Sequence, residues 1–198
     1  MTLPRQPATR ERTLWRVLMV CTANQCRSPM AQLLLTDQLG RAGIGSDRVQ
    51  VSSAGVRAAV GAPVTPQTAD QLLRRGVDPA GFASRPLVDS MVRDADLVLT
   101  ATRNHRSQVL ERVPLALRRT FTLLEFAAIV AALPPEELAQ ATDPAAWVRH
   151  TGAARGTTMV GEYDIDDPVG GPDEGFAVAA ELISLATQRI AAALVRVA

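Results

Sequence analysis

The run LWRVLMV, Leu14 to Val20, has the length and β-branched content of a strand. It stops at CTANQCRS, a small polar stretch that leads through Pro29 into MAQLLLTDQL at helical spacing. A strand, a tight loop and a helix in direct succession constrain the fold most, because the next strand then returns parallel to the first. The alternation continues along the chain. VQVSSAGV reads as a second strand, Thr65 to Arg75 as a helix ended by Gly76, and DADLVLTAT as a third strand, apolar enough to be buried on both faces. Leu110 to Arg118 is a short helical stretch and RTFTLLEF a fourth strand. FAVAAELISLATQRIAAALVRV, after the turn-rich GGPDEG, is a long amphipathic closing helix. The order βαβαβαβα predicts an α/β fold with a four-stranded parallel sheet and helices on both faces, three layers in all.

Residues 1–12, MTLPRQPATRER, are polar with no apolar period and are expected to form a disordered tail. Residues 13–198 are expected to form a single domain, since 198 residues match one core of ordinary size. Between the fourth strand and the closing helix, residues 127–159 hold LPPEELAQ and DPAAWVRHTG, two helical pieces read as an elaboration packed on the surface. The 21 basic residues, all Arg, against 20 acidic ones leave a formal charge of +1. That balance gives no long-range field for nucleic acid or an anionic membrane, and any anion site has to be local. No window approaches 18 uninterrupted apolar residues, which argues against a membrane partner. The two cysteines, Cys21 and Cys26, are too few and too close to staple a secreted scaffold, so reduced thiols and a cytoplasmic location are expected.

The loop that follows the first strand carries the chemistry. Cys21 and Arg27 bracket Thr22, Ala23, Asn24, Gln25 and Cys26 at the carboxyl end of that strand and the start of the first helix, where a doubly wound sheet places its ligands. Successive backbone N–H groups there form a cradle for a tetrahedral oxyanion such as phosphate. Pro29 suits the first helical turn, and Asn24 tolerates the left-handed conformation that so tight a loop requires. The helix dipole, the loop amides and a neighbouring guanidinium all favour the thiolate of Cys21, a nucleophile for phosphorus. Arg27 offers paired planar donors to two equatorial phosphoryl oxygens and gains most as their charge grows in the transition state.

Expelling an alkoxide or phenoxide from phosphorus needs a proton donor opposite the nucleophile, and YDIDDPVGGP supplies three candidate carboxylates. Of Asp164, Asp166 and Asp167, the last precedes Pro168, which holds it extended and fixes its direction, so Asp167 is the expected acid. Asp164-Ile-Asp166 resembles the DxD start of an aspartyl phosphatase, but that pair belongs after a first strand and not near a chain's end. His105 and His150 have no partners at metal-ligand spacing and are expected to be satisfied polar residues, so neither a metal nor a cofactor is expected.

With these residues in place, the sequence resembles the low-molecular-weight protein tyrosine phosphatase family from Arg16 to the last helix, apart from 127–159. VCTANQCRSPMAQ is similar to that family's V-C-x-G-N-x-C-R-S-P nucleophile loop and SSAGV to its S-A-G strand end. SRPL with ADLVLTATRNH resembles its middle section, and IDDP with a Phe176-led helix its acid loop and closing helix. The resemblance implies a phosphatase-type anion loop with Cys21 as nucleophile, Arg27 as transition-state clamp and Asp167 as the acid that later activates water. It further implies that Ser28 hydrogen-bonds the thiolate, that Asn24 and Ser53 brace the loop, and that Cys26 forms a reversible disulfide with Cys21 on oxidation. The chain departs from the family pattern at three places. Ala23 replaces the loop glycine and has to avoid conformations that only glycine tolerates. Phe82 stands where the family often has a histidine beside Asn24 and Ser53, so the bracing network is expected one member short. Val169 and Gly170 follow the Asp-Pro where aromatic residues commonly wall the phosphotyrosine ring.

The activity this implies is a cysteine phosphatase, metal-independent, acting on a phosphotyrosine protein or related phosphomonoester through a cysteinyl phosphate. Two alternatives share the loop: an arsenate reductase, which with no cysteine outside the loop would need an external thiol, and a lapsed module that only binds phosphate or phosphoproteins.

Overall fold

The structure is a computed structural model that describes residues 14–134, 136–137 and 143–197. The tail expected over 1–12 lies outside the described residues. β1 (Trp15–Cys21) is flanked by β2 (Val49–Gly55) on one side and β3 (Leu97–Thr100) on the other, with β4 (Thr120–Thr122) beyond β3. Every pairing is parallel, and Cys21 lies level with Gly55 at the carboxyl ends. The chain leaves β1 for β2 at one edge and then crosses back to β3, so β1 is the point where strand order reverses and its carboxyl end opens the ligand crevice.

The period of two along the central strands feeds both faces. Val17, Met19, Leu97, Leu99 and Phe121 enter one core, covered by α1 (Arg27–Arg41), α5 (Leu123–Ala132) and a C-terminal helix, α7 (Asp173–Val197). Leu18, Val20 and Val98 enter the other with Val92 of α3 (Asp89–Asp94) and Val109 of α4 (Arg103–Arg112). The short α2 (Pro66–Leu73) packs beside α7, started by Thr65, whose hydroxyl accepts from the Thr68 N–H. This is the expected three-layer α/β/α arrangement. By length and a mean hydropathy of 1.5, α7 could cross a bilayer, but Phe176, Ala180, Ile183, Ala186, Ile190 and Leu194 follow helical spacing and are buried in the core.

Three local readings are corrected. The fourth strand is three residues long, because Thr122 begins a helix: its hydroxyl accepts from the Glu125 N–H while the Glu125 carboxylate accepts from the Thr122 N–H. This reciprocal capping box turns LLEF into helix. The helical stretch expected at Leu110–Arg118 starts earlier, at Arg103, where the Thr102 hydroxyl accepts from the His105 N–H. It breaks at Pro114 into a 3₁₀ turn, Pro114–Arg119. The segment 127–159 is more than a surface elaboration. It contains the second half of α5 and then α6 (Pro144–Ala153), whose Trp147 is fully buried against Trp15 and Phe126 at ring-centroid distances of 5.5 and 5.1 Å. A tryptophan removes too much apolar surface from water for the helix that carries it to stay peripheral.

Candidate active site

Residues 22–26 curl between β1 and α1, tied on the outside through backbone carbonyls. The carbonyls of Cys21, Thr22 and Gln25 accept from the N–H groups of Val56, Arg57 and Thr65. Among the described residues the amides of 22–26 donate no hydrogen bond, which leaves them available to an anion at the start of α1. Asn24 has a φ of 54°, the only positive φ at a non-glycine residue among those described, and Ala23 therefore avoids the conformation that would have required glycine. Gly55 closes the loop from behind. A Cβ added there would lie 2.5 Å from the Thr22 carbonyl oxygen and 2.8 Å from the Asn24 nitrogen, so β2 approaches the loop as closely as it does only because this position has no side chain.

The buried polar network around the loop joins most of the predicted residues. Ser28 Oγ lies 2.9 Å from Cys21 Sγ, and Asn24 Nδ2 donates to Ser28 Oγ at 2.9 Å and to Ser53 Oγ at 2.7 Å. Because Ser28 Oγ already accepts from Asn24, its own proton is free to point at the sulfur. The network is not one member short. Ser53 donates to Gln32 Oε1 at 2.6 Å, and Asn24 Oδ1 accepts from the Arg85 N–H at 3.0 Å, so Gln32 and the Arg85 backbone brace the loop where Phe82 does not. Both lie in stretches that resemble the family, Gln32 at the end of VCTANQCRSPMAQ and Arg85 in SRPL, but neither was assigned a role there.

Arg27 is 4% exposed and holds both halves of the site together. Its Nη1 donates to the Ile165 carbonyl at 2.9 Å and its Nη2 to Asp167 Oδ2 at 2.5 Å, while Nε has no partner among the described residues. The backbone beside Asp167 is fixed to the sheet: Ile165 N–H donates to the Ala101 carbonyl at 2.9 Å, and Asp164 accepts from the Arg103 N–H at 2.7 Å and from its guanidinium. Burial pushes the Asp164 carboxyl up, but the hydrogen bonds and charge of Arg103 outweigh it and hold the group below its ordinary value. Asp164 is thus a structural clamp, Asp166 is exposed, and Asp167 alone of the three meets the loop arginine.

His105, expected to be a satisfied polar residue, is also a neighbour of the site. Its Nε2 lies 2.9 Å from Thr22 Oγ1 and its Nδ1 2.7 Å from Thr102 Oγ1, so it is a satisfied polar residue that also props the loop. Burial, aided by the charge of Arg27, pushes it down to about 4, and it is neutral at neutral pH. The unfolded chain takes up this proton below about pH 6.5 and the folded one only near 4. The stability that neutral His105 supports is therefore complete above the first value and is lost as pH falls toward the second. The stability difference between wild type and His105→Gln, measured by urea unfolding, should shrink by roughly 1–2 kcal/mol between about pH 7 and pH 5. A constant difference would show that His105 titrates normally.

Cys26, at the N-cap of α1, is 4% exposed, and burial pushes its thiol up to about 11. It is a protonated thiol at neutral pH.

The family model described as low molecular weight phosphotyrosine protein phosphatase matches residues 16–144, from the start of β1 to the start of α6. The chain belongs to the low-molecular-weight phosphotyrosine protein phosphatase family. Among relatives of this family, a protein-arginine-phosphatase of Geobacillus stearothermophilus is 31% identical over 177 residues, 89% of this chain and 94% of its own length. The low-molecular-weight protein-tyrosine-phosphatase Etp of Escherichia coli K12 is 38% identical over 98 residues, half of this chain and 62% of its own. Among solved structures, the arginine phosphatase YwlE from Geobacillus stearothermophilus superposes with a TM-score of 0.66 at 31% identity. That match covers 91% of this chain and 92% of the other. The low-molecular-weight tyrosine phosphatase from T. tengcongensis gives 0.67 at 26% identity, covering 89% and 97%. The fold and the cysteine-phosphatase class expected from the motifs are those of the family, and the relatives favour neither arsenate reduction nor a lapsed binding module.

Proposed function

We propose that the protein removes phosphoryl groups from protein side chains through a covalent intermediate on Cys21, and that phosphoarginine is a better substrate than phosphotyrosine. One observation carries the first part: a cysteine beside a hydroxyl donor, a loop of free amides, a buried guanidinium and a carboxylate on that guanidinium all converge at one helix N-terminus. In this reading the substrate phosphate takes the place of the Asp167 carboxylate on Arg27, whose Nε is already free. The Cys21 thiolate forms an S–P bond as the bond to the leaving nitrogen or oxygen breaks, and Asp167 in its acid form protonates that atom. Water then attacks the cysteinyl phosphate, Asp167 accepts its proton, and the S–P bond breaks to release phosphate and thiolate. Ser28 stabilises the thiolate at each end of the cycle.

The substrate preference rests on where the aromatic residues went. Trp15, Trp147, Phe121, Phe126 and Phe176 are all buried in the core, and residues 166–171 beside the loop are Asp166, Asp167, Pro168, Val169, Gly170 and Gly171. Residues 166–171 offer a phenyl ring no aromatic wall, Tyr163 being stacked under Arg103, whereas they offer a guanidinium two carboxylates. The longest match described above, to a protein-arginine-phosphatase, supports the same choice. The test is kcat/KM on one peptide carrying phosphoarginine or phosphotyrosine at the same position. Phosphoarginine should be favoured by about tenfold or more, equivalent to one well-placed charged contact. The opposite order would overturn the preference and leave the phosphatase chemistry in place.

A further inference from the structure

On the flank of the domain, a groove of about 550 Å³ lies between α4, the 3₁₀ turn and α6, lined by Arg106, Leu117, Arg118, Arg149, Ala153 and Arg155. Its charge is unbalanced. Glu125, 3% exposed, accepts from Arg155 Nε at 2.9 Å and from Arg106 Nη1 at 3.3 Å, as well as from the Thr122 N–H. Arg155 Nη2 also donates to the Thr120 carbonyl at 2.7 Å, and its guanidinium lies 3.9 Å from the Phe121 ring centroid. One buried carboxylate thus orients two guanidiniums and neutralises one. Arg118 and Arg149 are exposed and form no ion pair among the described residues. Elsewhere Arg41, Arg74 and Arg103 each pair with a separate aspartate. Four cations facing one anion leave an excess of three positive charges in the groove, on a chain whose formal charge is +1.

We infer that this groove is a second ligand site, for a small organic anion that joins two or more acidic oxygens to an apolar body, such as an aryl phosphate or an aryl dicarboxylate. Its volume is that of a small-molecule site. Arg106 and Arg155 are held in place before any ligand arrives, which lowers the ordering cost, and guanidinium forks match phosphate and carboxylate oxygens in pairs. Leu117, Ala153 and the arginine stems receive the apolar part. Burial penalises the charge on Arg155, and a bound anion would offset that penalty. The groove shares no lining residue with the Cys21 loop.

Calorimetric titration of the full chain, with orthovanadate saturating the Cys21 loop, tests the site with naphthyl phosphonate and naphthalene dicarboxylate as probes. Saturable binding of at least one probe should persist in vanadate and weaken about tenfold or more in the Arg118→Ala/Arg149→Ala double variant. The tighter probe identifies the acidic group the groove prefers. Both substituted side chains are exposed and lie outside the phosphatase machinery, so hydrolysis should be unchanged. The inference is overturned if neither probe binds, if the double variant binds as well as wild type, or if vanadate abolishes binding, which would assign the probe to the Cys21 loop.

Discussion

Cys21→Ser should lose about 10⁴-fold or more in kcat toward a small aryl phosphate, while orthovanadate and phosphate still bind. The substitution replaces a sulfur that readily carries negative charge with a hydroxyl that stays protonated at neutral pH, and it leaves everything else in the cradle. Ser28 Oγ, which lies 2.9 Å from the sulfur, can still hydrogen-bond the new hydroxyl, and the free amides of 22–26 and the guanidinium of Arg27 are untouched. Binding is therefore expected to survive when chemistry does not. Turnover in the variant above about a hundredth of wild type would place the nucleophile elsewhere.

For Asp167→Asn, kcat should fall about 10²- to 10³-fold on phenyl phosphate and less than about tenfold on an activated nitrophenyl ester. The contrast separates an acid from a merely structural residue, because only a proton donor matters more as the leaving group becomes worse. A second effect follows from the pairing of Asp167 with Arg27. The carboxylate competes with the substrate phosphate for the same guanidinium, so its neutral isostere should lower KM while it lowers kcat. Equal losses on both esters, with KM unchanged, would remove Asp167 from the acid role.

The alternation of apolar runs was enough to order four parallel strands and three layers, because period two and period 3.6 both act over many residues. The end of the fourth strand was hidden, since LLEF is as apolar as a strand and the deciding signal was a hydrogen bond between Thr122 and Glu125 three residues apart. The role of 127–159 was hidden for a similar reason: composition marks Trp147 as apolar but does not say that Trp15 and Phe126 receive it. At the site, the order of residues in one loop was enough to bring Cys21 and Arg27 together and to place Asn24 at a positive φ, the contacts of Ser28 and Asn24 came through the family resemblance, and Pro168 singled out Asp167, which lies on Arg27. Gln32, Arg85 and His105 were not. Each lies in a stretch that resembles the family but reaches the loop from a different place in the chain, and a polar residue's type gives no hint of a partner many residues away.

The fixing of Asp164 and Ile165 to the sheet bears on how fast the site can open. With Ile165 bonded to Ala101 through its N–H and to Arg27 through its carbonyl, the backbone leading to Asp167 cannot swing away without breaking contacts in the core of the site. Pro168 packs against Gly175 at the start of α7 and anchors the other end. Admitting a phosphate then requires only that the half-exposed Asp167 side chain change rotamer, a motion of picoseconds to nanoseconds, whereas a closing lid moves over microseconds to milliseconds. The segment that carries Asp167 is thus held at both ends, and the motion left to it is that of a side chain.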